Sequence, residues 1–304
     1  MKIRTLLPPM MLFLTLSFTA GATAADKDFV IYGETTALVG LCQAEKAQQF
    51  VRNPDWETIT LPNTTQTVCI LYIQQVKDSP VGRYTETVNT FLVKQKDAPP
   101  LPLKTPGDLT DPVQAMDYLQ AALYALGAAT YPDQVAGLPH QYGFYNHHLL
   151  LDNPDAIQAG KKQWGYPKQQ ALLSYKAPTK QAMKALQVWE PVRQSGRLHH
   201  KEMVLQVWFD LREAVAMPLE STGDNILPSS PWTPDGKLAQ LSGTLSTQGE
   251  NGLVAPFQGE LTVGRSFTET AVALRTTGFN PKMVLLFQNL KGTARPLYDK
   301  PHSI

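Results

Sequence analysis

The chain is 304 residues long, carries a net charge of only +1, and has charged side chains at 17% of its positions. That balance leaves no basic stripe to hold nucleic acid or an anionic membrane surface. Hydrophobic residues make up 43% of the chain, enough for one large core or two small ones, while 24 prolines and sparse charge point to a loop-rich, largely β protein rather than a helical bundle.

The N-terminus predicts export. Lys2 and Arg4 precede an apolar run from Leu6 to Phe18 that is too short to span a bilayer comfortably, and Ala22-Thr23-Ala24 follows as a small-residue cleavage site. This order predicts a signal peptide over 1–24 and a single mature domain over 25–304, with a periplasmic or secreted destination. Loss of Lys2 and Arg4 leaves 25 basic against 26 acidic residues. No later stretch is long and apolar enough to cross a bilayer, so no membrane anchor is expected. An oxidising destination makes Cys42 and Cys69 a candidate disulfide worth roughly 3 kcal/mol, with two buried thiols as the alternative.

Along the mature chain, Phe29–Tyr32 reads as a short strand and Ala44–Val51 as a short helix. Thr67–Val76 and Tyr84–Val93 are rich in β-branched and aromatic residues and flank the turn cluster Asp78-Ser79-Pro80-Val81-Gly82, which predicts a hairpin. A proline-rich loop over 97–112 leads into the clearest helix, capped by Asp111, opened by Pro112 and apolar at helical spacing over 115–129. Tyr142–Leu151 reads as a strand. Asn153 then caps a short helix that starts at Pro154 and stops near Gly165 and Pro167. Strand-like runs dominate the second half: Leu186–Glu190, Met203–Trp208, Leu238–Ser246, Phe257–Val263 and Val284–Leu290, with a helical turn over Arg212–Ala216. No strand–helix alternation and no Gly-rich phosphate loop appear, which disfavours a doubly wound nucleotide fold.

His147-His148, with His140 nearby, and His199-His200 are the clusters to test as metal sites. Adjacent residues on a strand point to opposite faces, so each pair predicts one buried and one solvated ring rather than a ligand set. No G-x-S-x-G elbow and no local cysteine-nucleophile signature is present. Lys168, after Gly165-Tyr166-Pro167, ordinarily reads as a solvated turn residue. Beside Trp164 and Tyr166 it has a second reading. In an enclosed apolar pocket the neutral amine is favoured, and a neutral amine attacks ketones. Glu86, at the start of the second hairpin strand, is either an exposed carboxylate or a companion to that lysine.

The run Tyr145-Asn146-His147-His148-Leu149-Leu150-Leu151-Asp152-Asn153, followed by Ala156-Ile157 and by Tyr166-Pro167-Lys168, resembles the core motif of the acetoacetate decarboxylase family. Gly82-Arg83-Tyr84-Thr85-Glu86 is similar to that family's Y-T-E strand. The resemblance implies an α+β fold, a large antiparallel β-barrel-like sheet with a few peripheral helices. It implies Lys168 as the Schiff-base lysine, Glu86 as an active-site carboxylate, no metal or organic cofactor, a β-keto acid or other carbonyl compound as the small-molecule partner, and a homo-oligomer. Three features depart from the family's pattern. Gln169 replaces its second lysine, Lys161-Lys162 replaces the Arg-Glu after Gly160, and its N-terminal active-site arginine has no counterpart. An adjacent cation depresses a nucleophilic lysine's pKa, with acetoacetate decarboxylase itself the standing example. Here desolvation, or Lys161 or Lys162 through space, has to supply that effect. The alternative on the same fold is a non-catalytic small-molecule binding protein.

Overall fold

A computed structural model describes residues 29–136, 141–164, 166–176, 183–195, 197–217, 224–229, 239–248, 252–296 and 302–303. Residues 1–24, expected as a signal peptide, His140, Gly165 and the side chain of Trp164 lie outside the described residues. In chain order the elements are β1 (Phe29–Gln43), α1 (Ala44–Gln48), β2 (Trp56–Thr58), β3 (Gln66–Asp78), β4 (Tyr84–Gln95) and α2 (Pro112–Ala136). Next come β5 (Tyr142–Leu151), α3 (Pro154–Trp164), β6 (Lys168–Gln170), β7 (Leu172–Tyr175), β8 (Lys184–Gln194), β9 (Arg197–Phe209) and β10 (Val215–Met217). The last third holds β11 (Asp224–Ser229), β12 (Ala239–Gln248), β13 (Gly252–Pro256), β14 (Gly259–Val263), α4 (Glu269–Thr277), β15 (Asn280–Pro296) and β16 (His302–Ser303).

The main sheet runs β10-β13-β15-β1-β3-β4-β5-β6, and a second sheet runs β14-β9-β8-β7. The fold is the sheet-dominated α+β architecture expected, with few helices. The path of the main sheet is open at β10 and β6 rather than closed into a barrel, and β6 joins β5 in parallel.

Both faces of the main sheet are covered, which explains the near-continuous apolar runs in its strands. On β3, Val68, Ile70, Tyr72 and Val76 enter one core, together with Leu119, Leu123 and Leu126 of α2. The intervening Cys69, Leu71 and Ile73 enter a second core, together with Leu186, Val207 and Phe209 of the small sheet and Ala271 and Leu274 of α4. This period of two is the pleat of a strand read from both sides. Cys42 and Cys69 are bonded across β1 and β3, with Cα atoms 5.9 Å apart.

Several expected elements differ in extent. The short strand over 29–32 is the start of a 15-residue strand, because Thr35, Thr36 and Gly40 continue the β1 ladder to β3 and β15. Gly40 is required there, since a Cβ would lie 2.3 Å from the carbonyl oxygen of Asn280. The strand over 257–263 begins only at Gly259, as β14, because the Phe257 N–H turns to the carbonyl of Lys282 just after β13. The helical turn over 212–216 is a turn at Leu211–Ala214 followed by β10. Helix α4, unforeseen, carries its own signals: the Thr268 hydroxyl accepts from the N–H of Ala271, and Gly278 closes the helix at φ 65°.

Candidate active site

Strand β4 delivers Glu86 between Tyr84 and Val88, and both of those neighbours belong to the α2-side core. Strand β6 delivers Lys168 opposite Leu149 of the same core. Two segments far apart in sequence therefore present a cation and a carboxylate to one apolar interior. Lys168 Nζ lies 2.6 Å from Glu86 Oε2, and both side chains are fully buried. The rings of Tyr166 and Tyr84 flank the ammonium position at 5.8 and 6.0 Å.

The Leu151-Asp152-Asn153 run explains how the two strands are held in register. Asp152 Oδ1 accepts from the N–H of Thr85 at 2.8 Å, next to Glu86. Asn153 Oδ1 caps α3 by accepting from the N–H of Asp155 at 2.8 Å. Its Nδ2 donates to the carbonyls of Val81 and Arg83 in the hairpin turn. One asparagine thus ties the strand of Glu86 to the helix that leads to Lys168. After α3, the Tyr166 N–H returns to the carbonyl of Gly160, and the Lys168 N–H to that of Tyr166 at 2.7 Å. The Leu149 N–H donates to the carbonyl of Pro167, so the X-Pro segment becomes the start of β6.

Burial holds the Lys168 ammonium below the ordinary lysine range, and the charge of Glu86 opposes that shift. Gln169 takes no part on this face. It pairs with Leu150 of the other core, and its side chain hydrogen-bonds the ring of His148 behind the sheet. Strand alternation would place any residue at 169 on the face away from Lys168. The depressed amine therefore follows from desolvation.

The histidine expectation needs correction. His147 and His148 are both buried, at 4% exposure each, because β5 bulges against Asn89–Thr90 of β4. The extra residue shifts the alternation, so Phe144 and Leu149 enter the same core although five residues apart, and both histidines fall on the other side. His147 stacks edge-on to Phe50 with centroids 5.0 Å apart, and its Nε2 lies 3.7 Å from Glu269, which pairs with Arg52 at 2.7 Å. His148 Nδ1 meets the Thr270 hydroxyl at 2.8 Å. Burial holds the rings down to about 3 and about 4. His199 and His200 are both exposed. Among the described residues no three His, Cys, Asp or Glu side chains are grouped to hold a metal ion.

Gln74 and Thr35 share the face of Lys168 and were not singled out from the sequence; only the strand register reveals them. No helix among the described residues is long and apolar enough to cross a membrane.

Comparison with solved structures returns the same overall fold. The fold matches an enduracididine biosynthesis enzyme, MppR, complexed with pyruvate, at 12% identity, a TM-score of 0.55, and coverage of 92% of this chain and 93% of that one. It matches an acetoacetate decarboxylase from Legionella pneumophila at 13% identity and a TM-score of 0.55, over 96% and 90% of the two chains. No curated protein sequence matches the chain. Residues 56–215, more than half of the chain and including both Glu86 and Lys168, match the acetoacetate decarboxylase family profile, and the chain belongs to that family.

Proposed function

We propose that the protein is an exported imine-forming enzyme that decarboxylates a β-keto acid or a related carbonyl compound on Lys168. The observation that carries this reading is the Lys168–Glu86 pair, 2.6 Å apart and fully buried on an apolar face. In that setting the proton is shared within the pair. With the proton on Glu86, the neutral amine attacks the ketone carbon to give a carbinolamine. Glu86 then returns its proton to the departing hydroxyl, water leaves, and a protonated iminium remains on Nζ. The bond to the carboxylate breaks, its electron pair moves to the iminium nitrogen, and carbon dioxide departs. Protonation of the enamine carbon and hydrolysis release the ketone and restore the amine.

The likeness to a structure that holds pyruvate supports a carbonyl-bearing substrate. The bonded Cys42–Cys69 pair supports an oxidising compartment, and with it the signal peptide over 1–24. A homo-oligomer belongs to the same proposal, and light scattering on the purified mature chain tests it. Borohydride reduction with candidate keto acids, followed by peptide mass analysis, tests the chemistry. The expected result is a reduced adduct on Lys168, product ketone in its absence of reductant, and loss of both in Lys168→Ala. A keto acid that binds without labelling Lys168 supports the non-catalytic binding protein instead.

A further inference from the structure

Gln74 sits directly across the β3–β4 ladder from Glu86, and Thr35 sits directly across the β1–β3 ladder from Gln74. Paired residues on adjacent strands share a face, with Cβ atoms about 5 Å apart. Thr35, Gln74 and Glu86 therefore form a polar row leading to Lys168. The residues two positions either side of Gln74, Tyr72 and Val76, lie in the core that contains Tyr84 and Tyr166. Gln74 is 1% exposed and Thr35 is 0% exposed. Among the described residues neither Nε2 nor Oε1 of Gln74 has a hydrogen-bond partner, and neither has Oγ1 of Thr35. A buried amide unpaired at both ends is costly, so its position calls for a partner. Asn89 and Asn146 also carry unpaired buried amides. Asn89 pairs with His148 towards the opposite face, however, and Asn146 faces Thr90 beyond the Val88–Leu149 pair. Gln74 alone of the three stands opposite Glu86.

We propose that Gln74 and Thr35 are specificity-determining residues that bind a neutral hydroxyl group on the substrate while its carbonyl condenses with Lys168. The inference rests on the imine-forming reading above and narrows its substrate class. The chemistry of the amide decides the group. Nε2 donates and Oε1 accepts, so a ligand group that satisfies both must accept and donate. A hydroxyl does this, and the Thr35 hydroxyl can serve it from the next strand. A carboxylate only accepts, and it would leave Oε1 unpaired against a like partial charge. The substrate is therefore a keto acid hydroxylated on the side of the carbonyl away from its carboxylate.

The test compares borohydride trapping of Lys168 by acetoacetate and by 4-hydroxyacetoacetate, over a concentration series, in the full mature chain and in Gln74→Leu and Thr35→Val. In the unaltered protein the hydroxylated compound should half-saturate trapping at a concentration about tenfold lower, the equivalent of one hydrogen bond. Gln74→Leu should abolish that preference, and its melting temperature without ligand should rise. Thr35→Val, which keeps the side-chain shape, should reduce the preference in the same direction. Equal half-saturation by both compounds in the unaltered protein, or a preference that survives both substitutions, overturns the assignment and leaves the lysine chemistry standing. Trapping by neither compound, nor by any other keto acid, at Lys168 sinks the imine-forming reading and this inference with it.

Discussion

Acidification offers the sharpest test of the reversed-face histidine pair. His147 and His148 have folded-state values of about 3 and about 4, both set mainly by burial. In the unfolded chain each titrates near 6.5. Between these limits the unfolded state binds more protons than the fold, so stability falls as pH falls. The contribution is fully present above about 6.5 and is lost progressively towards 4 and 3. Integrated from pH 7 to pH 5, the loss is roughly 2 kcal/mol for each ring and about 3–4 kcal/mol for both. For a chain of this size that lowers the melting temperature by roughly 6–14 °C. Ordinary carboxylates titrate below this window, so Glu269, whose value is itself lowered, contributes little above pH 5. Lys168 shifts in the same sense, however, because burial lowers its folded-state value. The assay is therefore thermal denaturation at pH 7 and pH 5 of the unaltered protein and of the double variant His147→Phe, His148→Gln, in which Lys168 is intact. Phe suits the surroundings of Phe50 and Phe91, and Gln keeps a polar group for Thr270. The double variant should lose most of the acid sensitivity. An equal drop in both proteins would refute the assignment of the proton uptake to this pair.

Three other perturbations follow from the geometry. Lys168→Met leaves Glu86 buried without its cation and should cost about 3–5 kcal/mol, most of it recovered in Lys168→Met, Glu86→Leu; denaturant melts of the two singles and the double measure the coupling. Reduction of Cys42–Cys69, or Cys42→Ala with Cys69→Ala, releases a loop with a sequence separation of 27 and should lower stability by about 3.5 kcal/mol, read from urea midpoints with and without reductant. Asn153→Ala removes the α3 cap and both bonds to the hairpin turn, for a loss of about 1–2 kcal/mol, and should lower the rate of Lys168 trapping more than a surface substitution such as Lys201→Ala does.

Local signals in the sequence were sufficient wherever structure is decided locally. Asp111-Pro112 and Asn153-Pro154 open helices as read, since a side-chain oxygen within three residues satisfies the first free N–H groups and proline fits the first turn. The strand over 142–151 came out with the expected limits because turn residues bound it. The extents of β1 and β15 were not legible. Polar Thr35 and Thr36 interrupt the apolar pattern of β1, and their place in the sheet is fixed only by partners some forty and two hundred and fifty residues away.

The site divides along the same line. The motif around Lys168 could be recognised from its residues, and of the sources named for its lowered amine, desolvation or Lys161 or Lys162 through space, burial is the leading cause. The concern over Gln169 arose from treating sequence neighbours as spatial neighbours. On a strand they are the residues most surely separated, because the sheet itself stands between their side chains. The same rule, applied to His147 and His148, failed for the opposite reason. One extra residue opposite Asn89–Thr90 cancels the alternation and brings consecutive rings onto one side. A bulge depends on the pairing of two strands, so a single strand's sequence carries no mark of it. Lys168 and Gln169 lie in a regular parallel pairing with Leu149 and Leu150, and there alternation holds. The lysine's character is therefore set by what its own face buries, namely Glu86, Tyr84 and Tyr166, and a cation restored at position 169 would reach His148 before it reached Lys168.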